Sequence, residues 1–203
     1  MKKIKNVVFD YGQVMIKYDP HYIVGRYIEN KEDAELLERV VFDRIYHDRL
    51  DEGAITDEYA VSDIKSRLPE RLHKDAEMLY YAWIYNIPEK PGMAELVTEI
   101  KEKFGVRVFL LSNISPWFVK HKDEMPALPL FEKCIFSCEY KVAKPNRRIF
   151  EILTSECQIK SEETVFIDDN CKNIAAATDF GIEGYLFDGD VERLRKYLFD
   201  LLG

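Results

Sequence analysis

The chain has 203 residues, 47% of them hydrophobic and 13% aromatic, and a formal charge of −8 at pH 7 from 29 basic and 37 acidic side chains. That length allows one large domain or a domain with a modest insertion, and the composition excludes a disordered chain. The acidic balance excludes a fold-wide basic footprint for nucleic acid, although an anion can still bind where a cation or a few donors concentrate charge.

The first residues, Met1 to Lys5, are basic, but the apolar run Val7-Val8-Phe9 is too short for a signal peptide and ends at Asp10. It suits a short buried strand. No stretch reaches the about 18 consecutive apolar residues of a membrane-spanning helix. A cytoplasmic protein without membrane contact is therefore expected. The four cysteines, Cys134, Cys138, Cys157 and Cys171, form no CxxC pair and have no histidine nearby. They read as small buried thiols in a reducing compartment.

From about Asp19 to Ile87 the pattern is helical. Leu36, Leu37, Val40, Val41, Ile45 and Leu50 recur at helical spacing. Thr56 is placed to cap a second helix, with Asp57 and Glu58 favourable to its dipole. A third runs from about Leu72 to Tyr85 with Ala76, Leu79, Tyr80, Trp83 and Ile84 inward, an aromatic stripe better read as core than as a ligand box.

From Pro91 onward helices and apolar strands alternate. Pro91 is expected to open a helix through Met93, Leu96, Val97, Ile100 and Phe104, ended by Gly105. Val106–Leu111 reads as a strand and Ser115-Pro116 as the start of a helix. Cys134–Phe136 is a strand, Ile149 to Leu153 a helix, and Thr164–Ile167 a strand. Ile174, Ala177 and Phe180 mark a helix closed by Gly181. Tyr185–Phe187 is a last strand, and Val191, Leu194, Leu198 and Leu201 face one side of a final helix. Such alternation implies an α/β fold with a parallel sheet covered on both faces. The all-helical stretch after the first strand reads as an inserted module. Sites in open parallel sheets lie beyond the carboxyl ends of the strands, so that module would sit over the site as a lid.

The residues that end these strands carry the chemistry. The first strand ends in Asp10, the second in Ser112-Asn113, and the fourth in Asp168-Asp169; Lys144-Pro145 follows the third. Each has an ordinary structural explanation when taken singly, as a cap, a turn or a solvated lysine. Together, at one edge of a parallel sheet, they bring three carboxylates, a hydroxyl, an amide and an ammonium into one place. Close carboxylates repel unless a cation joins them. Magnesium suits such oxygen donors and keeps sites for a substrate phosphate. Lys144, Ser112 and Asn113 then supply donors for the remaining phosphoryl oxygens.

The set Val8-Phe9-Asp10-Tyr11-Gly12, Leu111-Ser112-Asn113, Lys144-Pro145 and Phe166-Ile167-Asp168-Asp169-Asn170 resembles the haloacid dehalogenase-like phosphatases over nearly the whole chain. The resemblance implies a three-layer Rossmann-like sheet of strand order 5-4-1-2-3, a catalytic core of residues 1–17 and 89–203, and an α-helical cap at 18–88. It further implies Asp10 as the nucleophile, with Ser112 and neighbouring Asn113 binding phosphate. Lys144 would hold nucleophile and phosphate charges together. Magnesium would be held by Asp10, the backbone carbonyl of Gly12, Asp169 directly, and Asp168 directly or through water. The implied partner is a small phosphorylated metabolite, acted on by a protein expected to be a monomer, with higher assembly left open.

One departure matters. Phosphatases of this family usually carry a second Asp, as general acid and base, where this chain has Gly12. General acid catalysis is worth about 10²–10⁴ in rate. The Asp-x-Gly-x-Val form with Leu-Ser-Asn and Asp-Asp-Asn most resembles the alpha-D-glucose-1-phosphate phosphatases, whose anomeric leaving group tolerates the loss. His21, His47 and Asp51 are the candidate replacement acids from the insertion. The alternatives are a phosphate-binding protein that has lost turnover and a metal-free haloacid dehalogenase, for which Asp168 and Asp169 would be unwanted charge. A response-regulator receiver is disfavoured because its paired acids follow the first strand rather than the fourth.

Overall fold

Asn6–Phe9, buried at every position, forms β1, the central strand of a five-stranded sheet ordered β3-β2-β1-β4-β5, all neighbours parallel. This is the expected order 5-4-1-2-3 read from the opposite edge. The computed structural model describes residues 3–85 and 87–203; the start of the basic segment, Met1-Lys2, lies outside them. After β1 come five helices: α1 (Pro20–Gly25), α2 (Lys31–Val41), α3 (Arg44–Asp51), α4 (Asp57–Ser66) and α5 (His73–Ala82). Then follow α6 (Met93–Phe104), β2 (Arg107–Ser112), α7 (Pro116–Lys120), β3 (Lys133–Phe136), α8 (Ser137–Tyr140) and α9 (Arg147–Cys157). The chain closes with β4 (Thr164–Asp168), α10 (Cys171–Phe180), β5 (Glu183–Leu186) and α11 (Val191–Leu202). No helix of the described residues is long and apolar enough to cross a membrane.

Side chains alternate across a strand, so each strand feeds both faces of the sheet. In register, Val8, Phe109 and Phe166 form one row and Val7, Val108 and Val165 the next. The first row packs with Ile149, Phe150 and Leu153 of α9 and Ala177 of α10. The second packs with Leu96, Val97 and Ile100 of α6 and Leu194 and Leu198 of α11. Burial on both faces is why these strands are continuously apolar rather than alternating.

The helices α1–α5 join the same cluster as the second row. Aromatic contacts tie them to the sheet layer: the Trp83 ring lies 6.2 Å from that of Phe118 on α7, and Trp117 Nε1 donates to the Tyr81 carbonyl at 3.0 Å. Where the chain leaves and re-enters the sheet layer the two segments pair, Lys17 N donating to Pro88 O and Lys90 N to Met15 O, both at 2.8 Å.

Several local expectations are corrected. The helical pattern from Leu36 to Leu50 breaks at Phe42, because Asp43 turns outward and caps α3 by accepting from Ile45 N. Ile45 thereby falls on the solvent side, 58% exposed. Pro91 does not open α6: Gly92 precedes it in a left-handed conformation, φ 83°, and Met93 is the first helical residue. The last strand ends at Leu186, one residue short of Phe187. Leu202 replaces Leu201 among the fully inward residues of α11. All four cysteines are free, but only Cys157 is buried; Cys171 opens α10 in its first turn and is exposed.

Candidate active site

All five strands run the same way, so the residues that end β1, β2 and β4 emerge on one edge. Asp10 continues β1, its backbone N–H donating to Ile167 O of β4 at 2.9 Å. After it the chain curls tightly: Met15 N and Ile16 N both donate to Tyr11 O. Gln13, at the apex with φ 57°, ties the curl down by donating from Nε2 to Tyr18 O at 2.7 Å. This leaves the Asp10 side chain with one fixed donor, the Tyr11 N–H at 2.7 Å from Oδ1.

Lys144 supplies the second. Its ammonium is buried and lies 2.7 Å from Asp10 Oδ1, 2.8 Å from Asp168 Oδ2 and 2.9 Å from Leu111 O. Three protons thus meet three acceptors. Asp168 is fully buried and also accepts from the Asn170 backbone N–H at 2.8 Å and from Asn173 Nδ2 at 3.0 and 3.1 Å. Its two oxygens are each engaged twice. Asp169 is exposed, and one oxygen from each of Asp10, Asp168 and Asp169 lies within 4.8 Å of the others.

The electrostatics follow from burial and crowding. Burial pushes the Asp10 carboxyl up to about 7; Lys144 opposes the rise and Asp168 adds to it. Burial works against the Lys144 ammonium, but Asp10 and Asp168 outweigh it and raise its pKa. Burial, and then Asp168, raise Asp169. Three carboxylates share one ammonium here, so the constellation carries an excess of negative charge that favours a cation.

Ser112 ends β2 with its hydroxyl buried, and among the described residues its one hydrogen bond is long, 3.4 Å to Asn113 O. Asn113, expected beside Ser112 at the phosphate, has a structural task as well. Its carboxamide is engaged by the Lys144 backbone, Nδ2 donating to Lys144 O at 2.9 Å and Oδ1 accepting from Lys144 N at 2.8 Å. The reason is geometric: the loop between α8 and α9 returns across the end of β2, and its peptide groups need partners there.

A cleft of ≈ 340 Å³ opens beside this constellation, between the sheet edge and the inserted helices. Tyr11, Gly12, Asn113 and Ser115 line it from the sheet side, and Tyr18, Phe42, Arg44, His47, Asp48, Asp51 and Trp83 from the insertion. Of the three candidate acids, His47 and Asp51 reach the cleft. His21 does not: it is exposed on α1 and bonds Glu38 at 3.0 Å. Burial lowers His47 to about 4, and it stacks on Phe42 with the rings 6.2 Å apart. Burial, helped by Asp48, raises Asp51 to about 7.

Asn173 and the Tyr11 N–H escaped the reading of the sequence. Asn173 had a signal: a polar residue on the inward, apolar face of α10, on the turn that follows Asp168-Asp169. The Tyr11 N–H had none, since every residue but proline carries one.

A family model of haloacid dehalogenase-like hydrolases matches residues 4–181. The chain is 25% identical over 193 residues to D-ribitol-5-phosphate phosphatase of Bacteroides thetaiotaomicron, spanning 90% of this chain and 91% of that protein. A haloacid dehalogenase family enzyme from Bacteroides thetaiotaomicron, solved with magnesium and inorganic phosphate, matches with a TM-score of 0.68 at 25% identity, over 94% of this chain and 98% of that one. L-2-haloacid dehalogenase from Xanthobacter autotrophicus shares the fold, with a TM-score of 0.64 at 17% identity over 89% and 76% of the two chains. With the family model spanning most of its length and the strand-end residues gathered as described, the chain belongs to the haloacid dehalogenase-like hydrolase family.

Proposed function

We propose that the chain is a magnesium-dependent phosphatase that hydrolyses a small phosphorylated metabolite through a phospho-aspartyl intermediate on Asp10. The observation that carries this reading is the meeting of Asp10, Asp168 and Asp169 beside the buried Lys144. A metal-free dehalogenase has no use for that surplus of carboxylates next to its own carboxylate substrate. The likeness to a phosphatase over nine-tenths of both chains supports the same choice.

The donor set fits magnesium, which prefers hard oxygen ligands. Asp10, Asp169 and the Gly12 carbonyl would hold it, with Asp168 reaching it through water because both its oxygens already accept hydrogen bonds. When bound, the ion offsets the charge of the phosphoryl oxygens. The residues of the chain do the rest. An oxygen of Asp10, oriented by Lys144 and the Tyr11 N–H, attacks phosphorus as the bond to the leaving oxygen breaks. The sparsely bonded Ser112 hydroxyl donates to a phosphoryl oxygen. Asn113 holds the Lys144 backbone in place. Water then attacks the phosphorus, which frees Asp10 and releases phosphate.

In this reading residues 18–88 are the cap and residues 1–17 with 89–203 the catalytic core, the paired segments around Lys17 and Pro88 forming the junction. The cleft has the volume of a small-metabolite site. Aromatic faces of Tyr18, Phe42 and Trp83 suit the C–H faces of a carbohydrate, and Arg44 and Asp48 suit its hydroxyls. The substrate is a sugar or sugar-alcohol phosphate, with glucose 1-phosphate and a pentitol 5-phosphate the first to try. Phosphate release from a panel of phosphomonoesters with magnesium tests the reading. Asp10→Asn should abolish release while the fold persists, and acid quenching of the wild type should trap phosphate on Asp10. Full turnover by Asp10→Asn would refute the nucleophile.

A further inference from the structure

We propose that Asp51 is the proton donor and acceptor of the reaction, reaching across from α3 to serve the position where Gly12 offers no carboxyl. This rests on the phosphatase reading above and assigns the step that the sequence leaves without a residue.

Space comes first. A methyl group built on Gly12 meets no atom within 4 Å, so the volume beside Asp10 that an acid at this position would occupy is open. Asp51 lines the same cleft as Gly12, and it also lines the adjoining hollow that contains Lys144 and Asn113. It is shared by the two cavities, close enough to Asp10 and Lys144 to feel their charges.

Availability comes second. Among the described residues the Asp51 carboxyl has no hydrogen bond or ion pair, whereas its acidic neighbours on the insertion are engaged. Asp43 caps α3 and pairs with Arg67, Asp48 pairs with Arg44, and Asp63 accepts from Tyr46. A half-buried carboxyl without a partner costs stability, and a leaving group in the cleft would provide the missing partner.

Placement comes third. Asp51 is the last residue of α3, and the turn after it is seated on the sheet layer. Gly53 adopts φ 60° and packs so closely on α8 that a Cβ there would lie 2.8 Å from Cys138 O. Leu50, one residue before Asp51, is buried. The acid is therefore carried by an anchored end of the insertion.

The two histidines fail on the same criteria. His21 lies outside the cleft, paired with Glu38. His47 lines it, but its ring stacks on Phe42 and its Nε2 already lies 3.5 Å from the Tyr18 hydroxyl, and burial lowers it to about 4. Asp51 differs: burial raises it to about 7, Asp48 and Asp10 add to the rise, and Lys144 and Arg44 oppose it. Tyr18 and Cys138 also face it. A protonated fraction is thus held at neutral pH, near the optimum for a group that must both give and take a proton.

The step balances. As Asp10 bonds to phosphorus, the electron pair of the breaking P–O bond passes to the leaving oxygen, which takes the Asp51 proton. The Asp51 carboxylate then removes a proton from the water that attacks phospho-Asp10. The P–O bond to Asp10 breaks, phosphate departs, and Asp51 is protonated again.

First-turnover rates of Asp51→Asn with a simple alkyl phosphate and with 4-nitrophenyl phosphate test this. The alkyl rate should fall by about 10²–10⁴ and the aryl rate far less, because nitrophenolate leaves without a proton. Phosphorylated Asp10 should accumulate with the aryl substrate, since the base for water is gone, and mass spectrometry of the Asp10 peptide reads this directly. Equal losses on both substrates, or an unchanged alkyl rate, would overturn the proposal. Should Asp51→Asn fail to fold, the wild type decides: with an acid in place its first-turnover rate depends weakly on leaving-group acidity, and a steep dependence refutes the assignment. Persistent activity of Asp10→Asn would instead refute the phosphatase mechanism itself, a different outcome.

Discussion

The side chain of Asn113 closes a ring of two hydrogen bonds with the backbone of Lys144, donating to its carbonyl at 2.9 Å and accepting from its N–H at 2.8 Å. Thirty-one positions apart in sequence, the two residues join the end of β2 to the loop between α8 and α9. The ring fixes where the Lys144 side chain starts, and so where its ammonium meets Asp10 and Asp168. Asn113→Ala should leave two backbone groups without partners and cost about 1–3 kcal/mol of stability, read by denaturant unfolding. It should also slow the first turnover, with less effect on substrate affinity. A variant with unaltered stability and rate would show that the ring is dispensable.

Metal dependence separates Asp169 from Asp168. A chelator should remove activity, and magnesium should restore it and raise the melting temperature, since a ligand that binds only the folded chain stabilises it. Asp169→Ala should abolish the magnesium-induced rise while leaving the metal-free protein near wild-type stability, because Asp169 is exposed and makes no ion pair among the described residues. Asp168→Ala should instead lower the melting temperature even without metal, as Lys144 and Asn173 lose their shared acceptor. A metal response in Asp169→Ala equal to wild type would remove it from the ligand set.

The burial of Asp51 has a signature in stability against pH. Its folded pKa, about 7, stands above the unfolded value of about 3.9. The folded state therefore binds the proton more tightly, and the stabilisation this brings is complete below pH about 4 and lost as pH rises to about 7. Asp51→Asn removes that dependence. Without metal, the variant should match the wild type near pH 4 and become progressively more stable than it towards pH 8, as followed by urea unfolding. A difference between the two that is independent of pH would mean that the carboxyl is not perturbed.

Gly12 gives a rescue experiment. Its φ lies outside the left-handed region and a Cβ there meets nothing, so Gly12→Asp should be tolerated by the backbone. In an Asp51→Asn background the new carboxyl should restore part of the rate on alkyl phosphates, up to the general-acid range of about 10²–10⁴. A misplacement of one ångström forfeits much of such a gain. In the wild-type background the same change should bring little. A large gain in the wild type, with none in the double variant, would contradict the role given to Asp51.

Much of this protein was legible in its sequence because the governing rules are local. Strand and helix periods follow from backbone geometry, so the apolar runs around Val8, Phe109 and Phe166 and the faces of α6 and α11 were readable residue by residue. Parallel strands share a direction, so the acids that end β1 and β4 had to emerge on one edge, and Asp10, Asp168 and Asp169 do so. What a residue does once it is there depends on partners distant in sequence. That Asn113 also grips the Lys144 backbone shows only once the loop carrying Lys144 is folded back against it. Asp168 reads as a direct or water-mediated metal ligand, and only the fold shows that Asn173, Asn170 and Lys144 already engage both its oxygens. His21, His47 and Asp51 are equivalent as candidate acids on helical segments; only the packed chain shows His21 outside the cleft with Glu38, His47 held between Tyr18 and Phe42, and Asp51 in the cleft. The sequence by itself determined the alternating α/β pattern and the gathering of charge at one edge, because periodicity and chain direction are properties of neighbouring residues; the strand order came from the family resemblance of the strand-end motifs. Tertiary structure decided which carboxyl faces the cleft without a partner, because burial and hydrogen-bond saturation arise where segments far apart in the chain pack against one another.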